Sequence, residues 1–252
     1  MPLNKVVTRR FTVTLKELTL EAGMELASFS PDIEHQSTTR FLESIIESAE
    51  GDVVDIGDWT IQERTMVKAM YLASTLETGP DFAISSSGGG EPDARLSDYL
   101  STEDEYTKDS VTIDKYVVIP ITGRVAESLE RIQGEVATSE YGFWLLGAIA
   151  ASVCEPGESL PDNASELDDE LLKRISDIVS RPQSEVNALM EVLATGQHQL
   201  YHLLNMVIAQ IGGFAVRPKE AESDKPLTRF PVSSALSERT ALMAGKLATA
   251  GA

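Results

Sequence analysis

The chain has 252 residues, 42% of them hydrophobic and 24% charged, with 40 Asp and Glu against 21 Lys and Arg and a formal net charge of −19. This composition excludes a chain too polar to fold and leaves room for one large domain or two small ones. The acidity disfavours nucleic acid, whose phosphates require Lys and Arg neighbours, and is compatible with a solvated acidic surface or a basic partner. The single cysteine, Cys154, excludes an intrachain disulfide and a cysteine-built zinc site within the chain, and fits a reducing compartment.

In chain order, Met1 to Arg10 lacks the apolar core of a signal peptide. From Arg10 to Leu15 apolar and polar residues alternate, the period of a half-buried strand. Leu18, Ala22, Leu26 and Phe29 then share one helical face, and Ser30-Pro31-Asp32 stops that helix. A second helix is expected from Ile33 to Ser48, carrying Phe41, Leu42, Ile45 and Ile46 inward, with an acidic loop or strand at Asp52 to Gly57. Thr60 and Glu63 form a capping box that opens a third helix from Ile61 to about Leu76, with Met66, Ala69, Met70 and Ala73 on one face. Trp59, just before the cap, packs inward.

Residues 79 to 121 read as a small β insertion. Ser85-Ser86-Ser87-Gly88-Gly89-Gly90 is a loop, an acidic stretch follows to Asp109, and Val111 to Ile121 is a strand stopped by Pro120. Thr122 to Gln133 turns helical again with Val125, Leu129 and Ile132 on one face. Ser139 to Val153 is the most apolar helix, holding Trp144 as core and followed by Cys154, also read as buried; it is too short to span a bilayer, which needs about 20 residues. After a linker rich in Pro, Gly, Asp and Asn, Ser165 with Asp168 is expected to cap a helix from Glu166 to Val179. A further helix runs from Ser184 to about Ala194, and a last one from Gln197 to Ile211, stopped by Gly212-Gly213. There is no internal repeat and no sustained heptad.

The expected fold class is therefore α+β and mainly helical. An N-terminal body covers residues 1–155 with its β insertion near 79–121, a C-terminal helical unit covers 156–213, and a docking tail covers 214–252. Between Val216 and Lys246 six Lys and Arg face four Asp and Glu, so the tail is slightly positive on a negative protein and suited to an acidic surface. Its apolar side chains Phe214, Phe230, Val232, Leu236, Leu242 and Met243 are the candidate contact residues.

Catalytic and metal patterns are weak. His198 and His202 would share a face four residues apart on a helix, as two metal ligands can, but Gln199 stands where a metalloprotease has Glu, and no third ligand is evident. Gly88-Gly89-Gly90 lacks the Gly-Lys-Ser/Thr that grips phosphate, and Gly157-Glu158-Ser159-Leu160-Pro161 lacks the second glycine of a nucleophile elbow. The clusters Glu103-Asp104-Glu105 and Asp168-Asp169-Glu170 lack EF-hand spacing. No cofactor, metal or catalytic residue is assigned, and the expectation is a protein that is not an enzyme.

One arrangement has a familiar counterpart. An N-terminal strand leads into Lys16-Glu17-Leu18-Thr19-Leu20-Glu21-Ala22-Gly23-Met24-Glu25-Leu26, then a helix with Thr38-Thr39-Arg40-Phe41-Leu42, then Asp58-Trp59-Thr60-Ile61-Gln62-Glu63-Arg64-Thr65 opening a helix that ends in Tyr71-Leu72-Ala73-Ser74. Over about the first 150 residues this resembles tailed-bacteriophage proteins that build or chaperone the tail, particularly baseplate hub components of contractile tails. Some hub-type relatives carry cysteine pairs in the loop region where this chain has Ser85-Ser86-Ser87 and glycines, which argues against a metal role. The resemblance implies a non-enzymatic structural protein of the virion tail or baseplate, made in the host cytoplasm and contacting other tail proteins or further copies of itself. The alternatives are a tail-assembly chaperone or adaptor not retained in the virion, and a metal protein or enzyme using His198 and His202.

Overall fold

The N-terminal alternation becomes a three-stranded antiparallel sheet in the computed structural model, which describes residues 5–30, 33–75, 80–84, 94–101, 108–210, 213–220 and 224–236. Strand β1 (Lys5–Val7) pairs with β2 (Phe11–Leu15), Val6 opposite Val13, and β2 pairs with β3 (Ile46–Gly51), Val13 opposite Ala49. Phe11, Val13 and Leu15 point into the core while Thr12 and Thr14 are half-buried, as a period of two requires. At Gly51 the backbone takes φ +135, and a Cβ there would lie 2.5 Å from the Arg10 carbonyl oxygen, so only glycine fits.

The sheet is covered by α1 (Leu20–Ala27), capped by the Thr19 hydroxyl, and by α2 (Glu34–Ile45). The second expected helix is thus shorter than Ile33 to Ser48. At Ile46 the backbone turns extended, and Ile46–Gly51 pairs with β2, which satisfies the backbone groups of this segment across the sheet. Behind them lies α3 (Ile61–Thr75), opened by the capping box: the Thr60 N–H donates to Glu63 Oε2 at 2.8 Å and the Glu63 N–H donates to Thr60 Oγ1 at 3.2 Å. Its buried surface extends beyond one face. Ile61, Val67, Ala69 and Leu72 are buried, and so are Glu63, Arg64 and Lys68, because α3 runs between three apolar clusters. Trp59 is fully buried, stacked on Phe11 with ring centroids 3.9 Å apart.

The insertion contributes two short hairpins, β4 (Ala83–Ile84) with β5 (Ala94–Arg95), and β6 (Val111–Ile113) with β7 (Tyr116–Val118). Helix α4 (Gly123–Ile132) buries Val125, Leu129 and Ile132 as its spacing dictates. Helix α5 (Glu140–Ser152) buries Trp144 and runs directly into β8 (Val153–Cys154), which pairs with β7. Helix α6 (Ala164–Val179) is capped by Asn163, whose Oδ1 accepts from the N–H groups of Ser165 and Glu166; the expected cap at Ser165 is already inside the helix. Asp168 instead receives a bidentate pair from Arg131 at 2.8 and 2.9 Å.

One helix, α7 (Gln183–Gln199), replaces the first of the two expected after Pro182, and no helix covers 200–208. The chain turns at Leu203 (φ 57) and enters β9 (Asn205–Ile208), which pairs with β10 (Phe214–Arg217), Val207 opposite Ala215. The run Met206-Val207-Ile208 has strand propensity and finds a partner strand only in the tertiary structure. Helices α6 and α7 share one apolar cluster with α4 and α5, in which Leu167, Leu171, Ile175 and Leu193 lie with Leu129 and Trp144. The architecture is α+β and mainly helical, with seven α-helices among the described residues.

Candidate functional site

The expected docking tail is the first point of correction. Phe214 is 4% exposed, Phe230 3% and Val232 5%, all packed in the chain's own core. Phe214 makes an edge contact with Trp144 at 5.4 Å and Phe230 one with Phe82 at 6.2 Å. Val232 belongs to the cluster under the N-terminal sheet, and Leu236 is half-buried against the same cluster. These side chains hold the C-terminal segment on the body, because burying them internally returns about 1.5–3 kcal/mol each without the entropy cost of association. Leu242 and Met243 lie outside the described residues.

The histidine pair is the second correction. Since α7 ends at Gln199, His198 and His202 do not share a helix face. His198 is exposed at the end of α7, whereas His202 is fully buried, its Nε2 3.0 Å from Thr60 Oγ1 and its Nδ1 2.9 Å from the Leu200 carbonyl oxygen. His202 therefore latches the α7–β9 turn onto the cap of α3. Among the described residues no group of three or more His, Cys, Asp or Glu is placed to hold a metal ion. Cys154 is buried, and burial pushes its thiol up against the opposing hydrogen bond from Arg174 Nη1 at 3.5 Å, so it is a poor nucleophile at neutral pH.

Sequence reasoning missed a buried charged joint. Arg64, 2% exposed in its side chain, reaches from α3 to Glu127 of α4 at 3.3 Å, to the His35 carbonyl of α2 at 3.1 Å, and to the Thr39 hydroxyl. Glu130 of α4 accepts the N–H groups of His35 and Gln36 at 2.8 and 3.0 Å, and so caps α2 from another helix, a role its own Ile33 cannot fill. Burial raises the Glu130 carboxyl, and the two N–H groups oppose that rise. The His35 ring packs against Trp144 and Phe214; burial first, then the charges of Arg64, Lys68 and Arg229, hold its pKa well below 6.5. The cavity beside these groups is about 20 Å³, room for about one water.

The accessible concavity lies elsewhere. A groove of about 550 Å³ is lined by residues of β9, by Ile119, Pro120 and Ile121, by Phe214 and by the end of α7. That volume is in the range of ligand sites. Asn205, Met206 and Val207 all line it. The backbone there is engaged: the Met206 N–H donates to the Leu204 carbonyl oxygen at 3.1 Å, and Leu204 bridges Leu100. The groove is lined by Arg217 and Lys219 and by no Asp or Glu among the described residues, on a chain of net charge −19. Neither Arg217 nor Lys219 is in an ion pair among the described residues, and the nearby Asp98 is taken by Lys225 at 2.6 Å.

Of the residues marked in the sequence, Phe214 and His198 reach this groove; Arg217 and Lys219 were counted only as part of the tail's charge. No helix among the described residues is long and apolar enough to cross a membrane. Compared with known proteins, the chain matches no family model, no curated protein and no solved structure.

Proposed function

We propose that the chain is a structural component of a bacteriophage tail or baseplate that works by binding neighbouring tail proteins rather than by catalysis. The observation that carries the binding half of this reading is the groove of about 550 Å³ lined by β9 and residues 119–121, the larger of the two concavities described above. The titratable groups with displaced pKa values in the interior, His35, Arg64, Lys68 and Glu130, tie helices together around a space for about one water, which suits a rigid scaffold. The tail setting comes from the resemblance of the first 150 residues to baseplate hub proteins, and the fold positions the quoted elements as one sheet with helices packed on it.

Mass spectrometry of purified particles of the phage that encodes the chain is the test. The chain should appear in tails or isolated baseplates at a fixed copy number. Particles that form normally without the gene refute the reading. A chain required for assembly yet absent from finished particles replaces it with an assembly chaperone.

A further inference from the structure

We infer that the groove lined by β9 holds the C-terminal residue of a partner protein, with Arg217 and Lys219 gripping its free α-carboxylate. The inference rests on the reading of the chain as a binding protein and names the part of the partner that enters. Three features of the lining converge. First, Arg217 and Lys219 are exposed cations with no ion pair among the described residues, and no Asp or Glu lines the groove with them. Arg217 ends β10 opposite Asn205 of β9, which also lines the groove, so this charge belongs to the wall made by the β9–β10 pair. On a chain of net charge −19 such a place selects an anion.

Second, Gln62 and Ser152 line the same groove, and Gln62 Oε1 and Ser152 Oγ are buried with no hydrogen-bond partner among the described residues. Ser152 as a whole is 1% exposed. Backbone hydrogen bonds fix both residues beside the segment 119–121: the Ile61 N–H donates to the Ile121 carbonyl oxygen at 3.0 Å, and the Ile119 N–H donates to the Ser152 carbonyl oxygen at 3.0 Å. A buried oxygen left unpaired is unfavourable, and Gln62 Oε1 can only accept, so an occupant that brings an N–H is favoured there. Third, Ile61, Ile119, Ile121, Met206 and Phe214 supply apolar lining. A terminal amino-acid residue carries all three complements within a few bonds: a carboxylate ionised at neutral pH, an apolar side chain and a backbone N–H. An internal Asp or Glu spends its side chain on the charge and leaves none for the apolar lining.

The test uses the full chain and hexapeptides labelled with fluorescein at the N-terminus and ending in leucine, valine or phenylalanine with a free carboxylate. The same three peptides, amidated at the C-terminus, are the controls. Fluorescence anisotropy should show binding of at least one free-acid peptide, weakening with salt, and amidation should weaken it at least about tenfold. The exposed double variant Arg217→Ala/Lys219→Ala, checked for an unchanged circular dichroism spectrum, should also bind at least about tenfold more weakly. Gln62→Leu, which removes the unpaired acceptor, should weaken binding about fivefold or more. Binding of none of the three peptides, or binding indifferent to amidation, to the double variant or to Gln62→Leu, overturns the inference. Uptake of dodecanoate without peptide binding also overturns it and makes the groove a small-molecule site. These measurements need no particles, so their failure is separable from failure of the tail assignment.

Discussion

Replacing Arg64 by leucine removes a cation that reaches two other helices at once. The guanidinium meets Glu127 at 3.3 Å from two nitrogens and the His35 carbonyl at 3.1 Å, and it is 2% exposed. A hydrogen bond to a charged group contributes about 1.5–3 kcal/mol. The lower end applies here, since Glu127 keeps 19% of its exposure and water can partly replace the lost partner. Loss of the donor to the His35 carbonyl adds about 1 kcal/mol. The sum is about 2.5 kcal/mol, just under the range for breaking a fully buried pair. In urea, with a slope of about 3 kcal/mol per molar for a chain of this size, the midpoint should fall by about 1 M. The double variant Arg64→Leu/Glu127→Leu leaves no unpaired charge and should recover more than half of that loss. A single variant costing less than about 1 kcal/mol, or a double variant no better than the single one, would refute the account of this joint.

Three further outcomes follow from the same geometry. Because burial and neighbouring cations lower the pKa of His35 in the folded chain, the unfolded chain takes up the proton first as pH falls below 6.5. Stability should therefore drop on acidification by up to about 1.4 kcal/mol per pH unit until the folded imidazole also protonates. His35→Phe should flatten that slope in thermal melts between pH 7 and about 5, and an unchanged slope would assign it elsewhere. A Cβ at Gly196 would sit 2.6 Å from three side-chain carbons of Val118, so Gly196→Ala should destabilise by about 1–3 kcal/mol despite its better helix propensity, visible as a lower Tm. Asn163→Ala removes the side chain that accepts from Ser165 and Glu166 and should cost about 1 kcal/mol, while Ser165→Ala should cost far less. Equal effects at the two positions would reject Asn163 as the cap.

Local pattern alone determined much of this protein. The alternation through Phe11, Val13 and Leu15, the Thr60–Glu63 box and the face of Val125, Leu129 and Ile132 are short-range signals, and each forms as its spacing implies. Their cause lies within a few residues of sequence, so it can be read there. What only the tertiary structure decided has its cause far along the chain. Ile46–Gly51 and Asn205–Ile208 carry apolar residues that suit helix or strand, and β2 and β10 tip them to strand by offering unpaired backbone groups. His202 is a latch because Thr60, 142 residues away, meets its ring. Phe214, Phe230 and Val232 look like the greasy face of a free tail until the core that receives them is assembled. The groove follows the same logic: Arg217, Ile119 and Asn205 mean nothing together in sequence, and become one surface only where a hairpin folds back beside the loop before α4.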